Sequence, residues 1–266
     1  MLRQVEFKLQ FPDEIKINQS MGSVMHGLMM EMIGENGAEW LHSMDSLRPF
    51  SQCLYYNKDI RCPIWRINII SEEADARIME PILANIGKEL YLRNKSYSIK
   101  LNDILRDTKS SYQRIADDAF LSEDVASVAK LNFLTTVSFK RDKQYVIMPE
   151  LYLIYQSLLS KWNAFSSSNR MESEDLDKEF AKLSAIMWYN LQSRIFSLEK
   201  TKINGFSGEL RLRLSGNEMM RRMAVMLLQY ATFAGIGIKN ALGMGAVNVE
   251  LEAKSAPMPL NKGLAE

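Results

Sequence analysis

The sequence is poor in the side chains that bind metals or form disulfides. Its 266 residues include two cysteines, Cys53 and Cys62, and two histidines, His26 and His42. Neither cysteine has a companion pair or a histidine at the spacing of a metal site. The sequence therefore argues against a structural zinc site and against a disulfide scaffold.

The sequence also lacks a net charge of one sign and a long apolar run. Its formal charge is +1, so an anionic partner would have to be held by a local basic patch. The first eleven residues alternate polar and apolar side chains, unlike a signal peptide, and no later window is apolar over the thickness of a bilayer. We expect a soluble, cytoplasmic protein that does not bind membranes.

The first half of the sequence alternates strand and helix patterns. Residues 3–11 alternate in hydrophobicity, which predicts a half-buried strand. An apolar helix follows and ends at Gly34, with a second short helical piece at 38–44. The remaining patterns predict strands at 48–57 and 62–71, a helix at 72–92 and a strand at 95–106. This is the order of a ferredoxin-like unit.

The second half repeats that order. It begins with a predicted hairpin at 131–149, with its turn at 140–143, an amphipathic helix at 150–165 and an exposed acidic insertion at 166–180. A hairpin at 200–216 with Gly205 and Gly208 in its turn, a buried helix at 218–235 and a last strand at 245–251 follow. The sequence thus predicts an α+β protein of two tandem ferredoxin-like domains, 1–128 and 129–253. We expect the tail, 254–266, to be disordered.

Four glycines lie close together in the segment "AGIGIKNALGMGAVNVEL", residues 234–251. A dinucleotide-binding loop has a third glycine where this segment has Asn240, and it joins a strand to a helix, whereas this segment follows a helix. The Gly-Lys-Ser/Thr ending of a phosphate loop is also missing. A flexible turn is the simple alternative, but a turn does not need four glycines and a lysine.

This loop resembles the glycine-rich loop of the repeat-associated RNA-binding superfamily of CRISPR systems. More narrowly, the chain resembles the endoribonucleases that cut CRISPR precursor transcripts within each repeat. The segments "FKRDKQYVIMPELYLIYQSLLSKWNAF", "KTKINGFSGELRL" and "WLHSMDSLRPFSQCLY" agree with that family in order. The resemblance covers most of residues 1–251 and is weaker across the N-terminal half.

The resemblance implies metal-independent cleavage of CRISPR repeat RNA without a cofactor. The 2'-hydroxyl would attack the adjacent phosphate, leaving a 2',3'-cyclic phosphate and a 5'-hydroxyl. That reaction needs a proton acceptor, a proton donor and cationic groups around the phosphorane. Repeat RNA is the implied partner, and a CRISPR effector complex remains open as a second one.

The candidate catalytic residues are His42, Arg48 and His26. By position, His42 matches the catalytic histidine of the family, and Arg48 the basic residue that stabilises the phosphorane. A surface histidine at a helix C-terminus is the alternative for His42. His26 is as well explained by packing as by catalysis, and Met30 stands about where some relatives have a tyrosine.

The candidate RNA-binding residues lie in the glycine-rich loop and in a locally basic segment. Residues 194–222 hold seven basic and three acidic side chains, an excess of four. Glycine N–H groups could face phosphate oxygens, with Lys239 and Asn240 adding charge and hydrogen-bonding groups. The candidates are Arg194, Lys202, Arg211, Arg213, Gly235, Gly237, Lys239, Asn240, Gly243 and Gly245. The alternative for the basic strand is a solvated sheet face, which is the preferred interpretation for Arg221 and Arg222.

Two other functions stay open at this point. A non-catalytic RNA-binding subunit of a CRISPR effector complex would use the same loop and basic strand without a histidine. A regulatory module that binds a small anionic ligand through the loop is the third hypothesis.

Overall fold

The computed structural model describes residues 1–44, 47–167, 170–198 and 201–253. Most of these residues lie in two antiparallel sheets or in the helices that cover them. The predicted disordered tail and Lys200 lie outside the described residues. Within them, no helix is long and apolar enough to cross a membrane.

The first sheet has five strands in the order β2-β3-β1-β5-β4. They are β1 (Leu2–Gln10), β2 (Phe50–Asn57), β3 (Cys62–Ile69), β4 (Glu89–Leu92) and β5 (Tyr97–Ser110). Helix α1 (Gly22–His42) follows β1, and a short helical segment follows β3. This is the predicted ferredoxin-like order with one extra edge strand, β4.

Strand β1 is buried on both faces, whereas the alternating pattern predicted a half-buried strand. Val5 and Phe7 lie in the first core, as expected. Gln4 and Glu6 on the opposite face are also buried, because that face packs against the second half of the chain. The Gln4 side-chain amide, for example, donates to the carbonyl oxygen of Thr232 at 3.2 Å.

Helix α1 changes direction at Gly34, as predicted from the sequence. Gly34 has φ 67° and ψ −176°, which is not helical and favours glycine. In a straight helix, His26 and His42 would lie about 24 Å apart, at 1.5 Å per residue. The break at Gly34 therefore decides where His42 lies relative to His26.

The segment predicted as one helix over 72–92 is a shorter helix followed by a strand. It consists of α2 (Glu72–Ala74), a π-helical turn (Asp75–Met79) and α3 (Glu80–Leu83). Gly87, with φ +81°, then turns the chain. Strand β4 pairs with β5, which buries Leu92; this pairing outweighs the local helix signal.

The second sheet has four strands in the order β11-β6-β10-β9. They are β6 (Val128–Val137), β9 (Ser184–Ser197), β10 (Lys202–Leu214) and β11 (Val247–Glu252). The helices of this half are α5 (Leu151–Phe165), α6 (Leu176–Leu183) and α7 (Glu218–Ala234). The order again matches a ferredoxin-like unit, so the predicted fold class is confirmed.

The predicted domain boundary at residue 128 stays a prediction. Strand β6 begins at Val128. A helix that the sequence reading missed, α4 (Tyr112–Phe120), precedes it. Tyr112, Ile115 and Ala119 of α4 pack into the core of the second sheet.

Both predicted hairpins of the second half differ from the structure. Gly205 and Gly208 lie inside β10 rather than in a turn, and the missed strand β9 is the partner that completes this hairpin. A Cβ at Gly205 would lie 2.1 Å from the carbonyl oxygen of Val137 on β6, so close strand packing explains this glycine. In the other hairpin, β6 joins the main sheet, and the "KRDK" turn connects two short strands, β7 (Phe139–Arg141) and β8 (Gln144–Val146).

The predicted exposed insertion at 166–180 is only partly exposed. Its last residues begin α6, and Met171, Leu176 and Phe180 are buried in the second core. Their spacing was hidden among acidic side chains that lie on the outer face of the same helix.

Candidate active site and glycine-rich loop

The structure brings His26, His42 and Arg48 near one another, because α1 changes direction at Gly34 between the two histidines. His26 lies in the first turns of the helix, and His42 is its last residue. Arg48 precedes β2, the strand that begins with Phe50. The charges of Arg48 and His42 are both close enough to act on the His26 imidazole.

The His26 side chain is half-buried and stacks on Phe50, with ring centroids 6.2 Å apart and an interplanar angle of 18°. Burial, together with the charges of the nearby Arg48 and His42, lowers the pKa of His26 from 6.5 to about 4. His26 is therefore uncharged at neutral pH.

His42 and Arg48 are the accessible members of this group. His42 is exposed. Arg48 is half-buried, and its Nη1 donates to the carbonyl oxygen of Met44 at 2.9 Å. This bond holds the guanidinium group at the end of α1. Among the described residues its other N–H groups have no partner, so they can bind an anion.

The glycine-rich loop has a fixed backbone conformation. Gly235, Gly237, Gly243 and Gly245 have φ values of +68°, +79°, +109° and +71°, in the region that favours glycine. Two close approaches also require glycine. A Cβ at Gly245 would lie 2.0 Å from the carbonyl oxygen of Ile236, and a Cβ at Gly237 would lie 2.4 Å from that of Ser138.

The N–H groups of these glycines do not face solvent, contrary to the expected phosphate contacts. Gly235 donates to Ala231 O, Gly237 to Ser157 Oγ, Gly243 to Asn240 O and Gly245 to Thr136 O. The glycines are needed because the loop folds tightly against protein backbone. The prediction that these N–H groups contact phosphate directly is therefore wrong, whereas RNA binding by the loop stays a prediction.

Asn240 lies inside the loop rather than on its surface. Its side chain is buried, and its Nδ2 donates to the carbonyl oxygens of Ile236 and Met244, both at 3.1 Å. The Oδ1 atom accepts from Lys161. The amide therefore ties the two ends of the loop together, and Lys239 is the exposed polar side chain beside it.

Two contacts attach the loop to the helix that carries His26. Gly22, the first residue of α1, lies so close to Gly243 that a Cβ on Gly22 would be 2.9 Å from the Gly243 Cα. The buried amide of Gln52 on β2 donates to the carbonyl oxygens of Gly22 and Ala241, at 2.7 and 2.9 Å. The loop and the histidine cluster are thus parts of one site, built from both halves of the chain.

The basic candidates form two separate groups. Arg194 and Lys202 are exposed near the tip of the β9–β10 hairpin. This tip, the start of α1 and Leu242 of the loop line a common groove. Arg211 lies nine residues after Lys202 on β10, which is about 30 Å along a strand.

The second basic group is a mixed-charge surface. Arg211 donates to Glu209 at 3.0 Å and lies over the Trp188 ring, 5.4 Å from its centroid. Lys130 on the adjacent strand is 3.8 Å from Glu209. Arg213 is exposed. The local excess of positive charge counted from the sequence is therefore divided between the hairpin tip and a partly neutralised sheet face.

Arg221 and Arg222 lie on α7, where a solvated face was the preferred interpretation. Arg222 differs from it, because its side chain is only 12% exposed. Arg222 donates to Glu218 and to the carbonyl oxygens of Ala119 and Ser122. It thereby holds the end of α4.

Within the described residues, no group of three or more His, Cys, Asp or Glu side chains is arranged to hold a metal ion.

Sequence reasoning missed Gln52 and Lys161, which both shape the loop. Lys161 had a detectable signal: Leu158, Lys161, Trp162 and Phe165 follow helical spacing, which places the lysine on the buried face of α5. Gln52 had none, because a single glutamine in a strand does not show what it will contact.

Comparison with known proteins finds similarity to one family of endoribonucleases. The family model for CRISPR-associated endoribonuclease Cas6 matches residues 131–247, the second half with its glycine-rich loop. A curated CRISPR-associated endoribonuclease Cas6 from Streptococcus thermophilus is 24% identical over 238 residues, covering 87% of this chain and 92% of the relative. The chain is therefore similar to the Cas6 endoribonucleases over most of its length.

Further relatives and solved structures that the chain resembles are also Cas6 proteins. A Cas6 endoribonuclease of Mycobacterium tuberculosis is 26% identical over 245 residues, covering 90% of this chain and 76% of the relative. Among solved structures, a Cas6 product complex superimposes with a TM-score of 0.77 at 19% identity, over 94% of this chain and 99% of the other. Thermus thermophilus Cas6 superimposes with a TM-score of 0.68 at 20% identity, over 94% and 98%. These structures share the fold of two ferredoxin-like domains.

Proposed function

We propose that this chain is a metal-independent endoribonuclease that cuts CRISPR repeat RNA in precursor transcripts. The observation that carries the proposal is the convergence of His26, His42 and Arg48 beside the glycine-rich loop. The chain is similar over most of its length to curated CRISPR-associated endoribonucleases. A solved structure described as an RAMP protein binding different RNA substrates supports the choice of an RNA substrate.

The proposed reaction is a transesterification. The 2'-hydroxyl loses its proton and attacks the adjacent phosphorus, and the bond from phosphorus to the 5'-oxygen breaks as that oxygen gains a proton. The products are a 2',3'-cyclic phosphate and a 5'-hydroxyl. His42 is exposed and suited to proton transfer near neutral pH, and Arg48 stabilises the charged phosphorane. His26, uncharged at neutral pH, is the candidate acceptor of the proton that the 2'-hydroxyl loses.

Recognition of the RNA is proposed to use the loop and the hairpin tip. Arg194 and Lys202 are exposed cations next in sequence to Ile195 and Thr201, which line the common groove, and Lys239 is exposed on the loop. Cations that contact phosphates dominate the affinity for nucleic acids. Arg211 and Arg213 lie farther along β10 and would contact a longer RNA. A relative described as a partial Cas6-RT-Cas1–Cas2 complex supports assembly with other CRISPR proteins as a second partnership.

The test is cleavage of a repeat RNA from a CRISPR array of the organism that encodes the chain, under single-turnover conditions in EDTA. We expect cleavage by the wild-type protein and a rate at least about 100-fold lower for His42→Ala, the usual scale for a general acid or base. A 2'-deoxy substitution at the scissile nucleotide should block cleavage without abolishing binding.

Lys182→Met is the control variant, because this lysine is exposed on α6 and pairs with Glu179; we expect it to cleave at the wild-type rate. Equal cleavage by His42→Ala and wild type would refute the assigned role. Tight binding of the repeat RNA without any turnover would instead indicate a non-catalytic RNA-binding subunit.

A further inference from the structure

Lys161 is a buried cation directly beneath the glycine-rich loop. It lies on α5, and its side chain is 6% exposed. Its ammonium group donates to the carbonyl oxygens of Ala234 and Gly235 at 2.9 and 3.0 Å, and to Oδ1 of Asn240 at 2.5 Å. All three protons of the ammonium group are used by these three acceptors.

The three acceptors are the points that fix the loop. Ala234 is the last residue of α7, and Gly235 is its C-cap, so the ammonium group satisfies carbonyl oxygens that a helix leaves without partners at its C-terminus. Asn240 is the side chain that ties both ends of the loop through Ile236 and Met244. One ammonium group therefore joins α5, the end of α7 and the interior of the loop.

The partners of Lys161 are neutral oxygens. Within the described part of the chain, no salt bridge involves this lysine. Burial lowers its pKa from 10.5 to about 7. A buried cation without a carboxylate is costly, and an anion bound over the loop would stabilise it.

The titratable groups on the surrounding elements are few. Tyr155 on α5 and Tyr230 on α7 are kept protonated by burial, which raises the pKa of each. The other groups lie at the surface or at the far end of α7, and they are Tyr152 on α5, Asp177, Lys178, Glu179 and Lys182 on α6, Glu218, Arg221 and Arg222 on α7, and Lys239 on the loop.

We propose that Lys161 is the positioning residue of the glycine-rich loop: by bonding to Ala234, Gly235 and Asn240 it holds the loop in its RNA-binding conformation and places a positive charge beneath the bound phosphate. This inference rests on the proposed function, since it assumes that the loop contacts RNA. Lys161 itself does not contact the RNA, because the loop covers it.

The first test measures the loop without RNA. Lys161→Met removes three donors and the charge while keeping an unbranched apolar side chain. We expect faster hydrogen exchange in the segment 235–246, whose amides include Ile236 bonded to Gly245 O and Gly245 bonded to Thr136 O. Strand β5 in the sheet of the first half should exchange as in the wild type. Unchanged exchange in the loop would overturn the proposal.

The second test measures RNA affinity in a His42→Ala background, which removes cleavage. We expect Lys161→Met to weaken binding of repeat RNA about tenfold or more, the scale of losing a buried hydrogen-bonding partner. Lys182→Met in the same background should bind as tightly as its parent. If the loop exchanges faster but RNA affinity is unchanged, the loop conformation does not matter for binding and the proposal fails.

The third test needs no Lys161 variant, so it holds even if Lys161→Met does not fold. RNA bound over Lys161 favours its protonated form, so the affinity of the His42→Ala protein should fall as the pH rises above about 7, by at most about tenfold per pH unit for one linked proton. Where Lys161→Met does fold, it adds a check, because loss of this lysine should remove the pH dependence of RNA affinity. An affinity independent of pH between 6.5 and 8.5 in the His42→Ala protein would overturn the proposal.

Failure of the proposed function is distinguishable from failure of this inference. If the wild-type protein neither binds nor cuts repeat RNA, the proposed function is wrong. The hydrogen exchange of Lys161→Met then still decides whether Lys161 holds the loop.

Discussion

At the scale of single residues, this protein uses buried polar groups to shape its site. Asn240, Gln52 and Lys161 are all buried, and each bonds to backbone carbonyl oxygens of the loop or of the helix ends beside it. Such groups stabilise a conformation only when they are fully satisfied. The loop is therefore sensitive to substitutions that leave one of these partners unpaired.

Lys161 also makes stability depend on pH in a direction opposite to its effect on RNA binding. Its pKa is about 7 in the folded protein and 10.5 ordinarily. Between these values the unfolded chain holds a proton that the folded chain has released, so the free energy of unfolding rises with pH. We expect the wild type to gain stability relative to Lys161→Met by about 1 kcal/mol per pH unit in this window. Urea unfolding at pH 7, 8 and 9 measures the difference, and a constant difference would contradict the lowered pKa.

At the scale of elements, the break in α1 places the histidines. Gly34 is the residue at which the helix changes direction, and its positive φ strains any side chain. Without this break His42 would lie about 24 Å from His26. The same helix contains Gly27, which has ordinary helical geometry and open space around it.

This pair of glycines gives a matched comparison within one helix. We expect Gly34→Ala to lower the free energy of unfolding by about 1 kcal/mol or more, because alanine is strained at this φ. Gly27→Ala should raise it by about 0.5 to 1 kcal/mol, because alanine favours the helix. Chemical denaturation measures both. Equal effects of the two substitutions would show that the break does not depend on glycine at position 34.

The elements also show why parts of the sequence reading were wrong. Glycine is typical of turns, yet Gly205 and Gly208 both lie inside β10. These positions need glycine because neighbouring backbone leaves no room for a side chain. Strand β4 was predicted as helix, since only its pairing with β5 reveals it. For Gly205 the deciding contact comes from β6, a strand distant in the sequence, so local patterns cannot report it.

At the scale of the whole molecule, polar contacts join the two halves. Glu6 and Arg66 form a buried ion pair at 2.6 Å in the first sheet, and Arg66 Nη1 donates to Asn248 on β11 at 2.7 Å. Ser51 Oγ donates to the carbonyl oxygen of Phe233 at the end of α7. The candidate active site depends on this interface, because His26 lies in one half and the loop in the other.

Substitution of this ion pair tests the interface. We expect Arg66→Met to lower the free energy of unfolding by about 3 to 5 kcal/mol, since it leaves the Glu6 carboxylate buried without its main partner. Glu6→Leu combined with Arg66→Met should cost less than Arg66→Met alone, because no buried charge remains. Urea unfolding followed by circular dichroism gives both values. A double variant less stable than the single one would contradict this account.

The sequence by itself determined the α+β class, the repeated ferredoxin-like order, the end of the first helical segment at Gly34 and the glycine-rich loop. These features follow from local periodicity and from backbone conformations that favour glycine, so nearby residues suffice to show them. The tertiary structure alone decided that the glycine N–H groups bond within the protein, that Gln52 joins the loop to α1, and that Lys161 lies beneath it. Lys161 and Asn240 are separated by 79 residues, and the contact between them exists because the packing of α5 against α7 brings a buried ammonium group to the end of a helix.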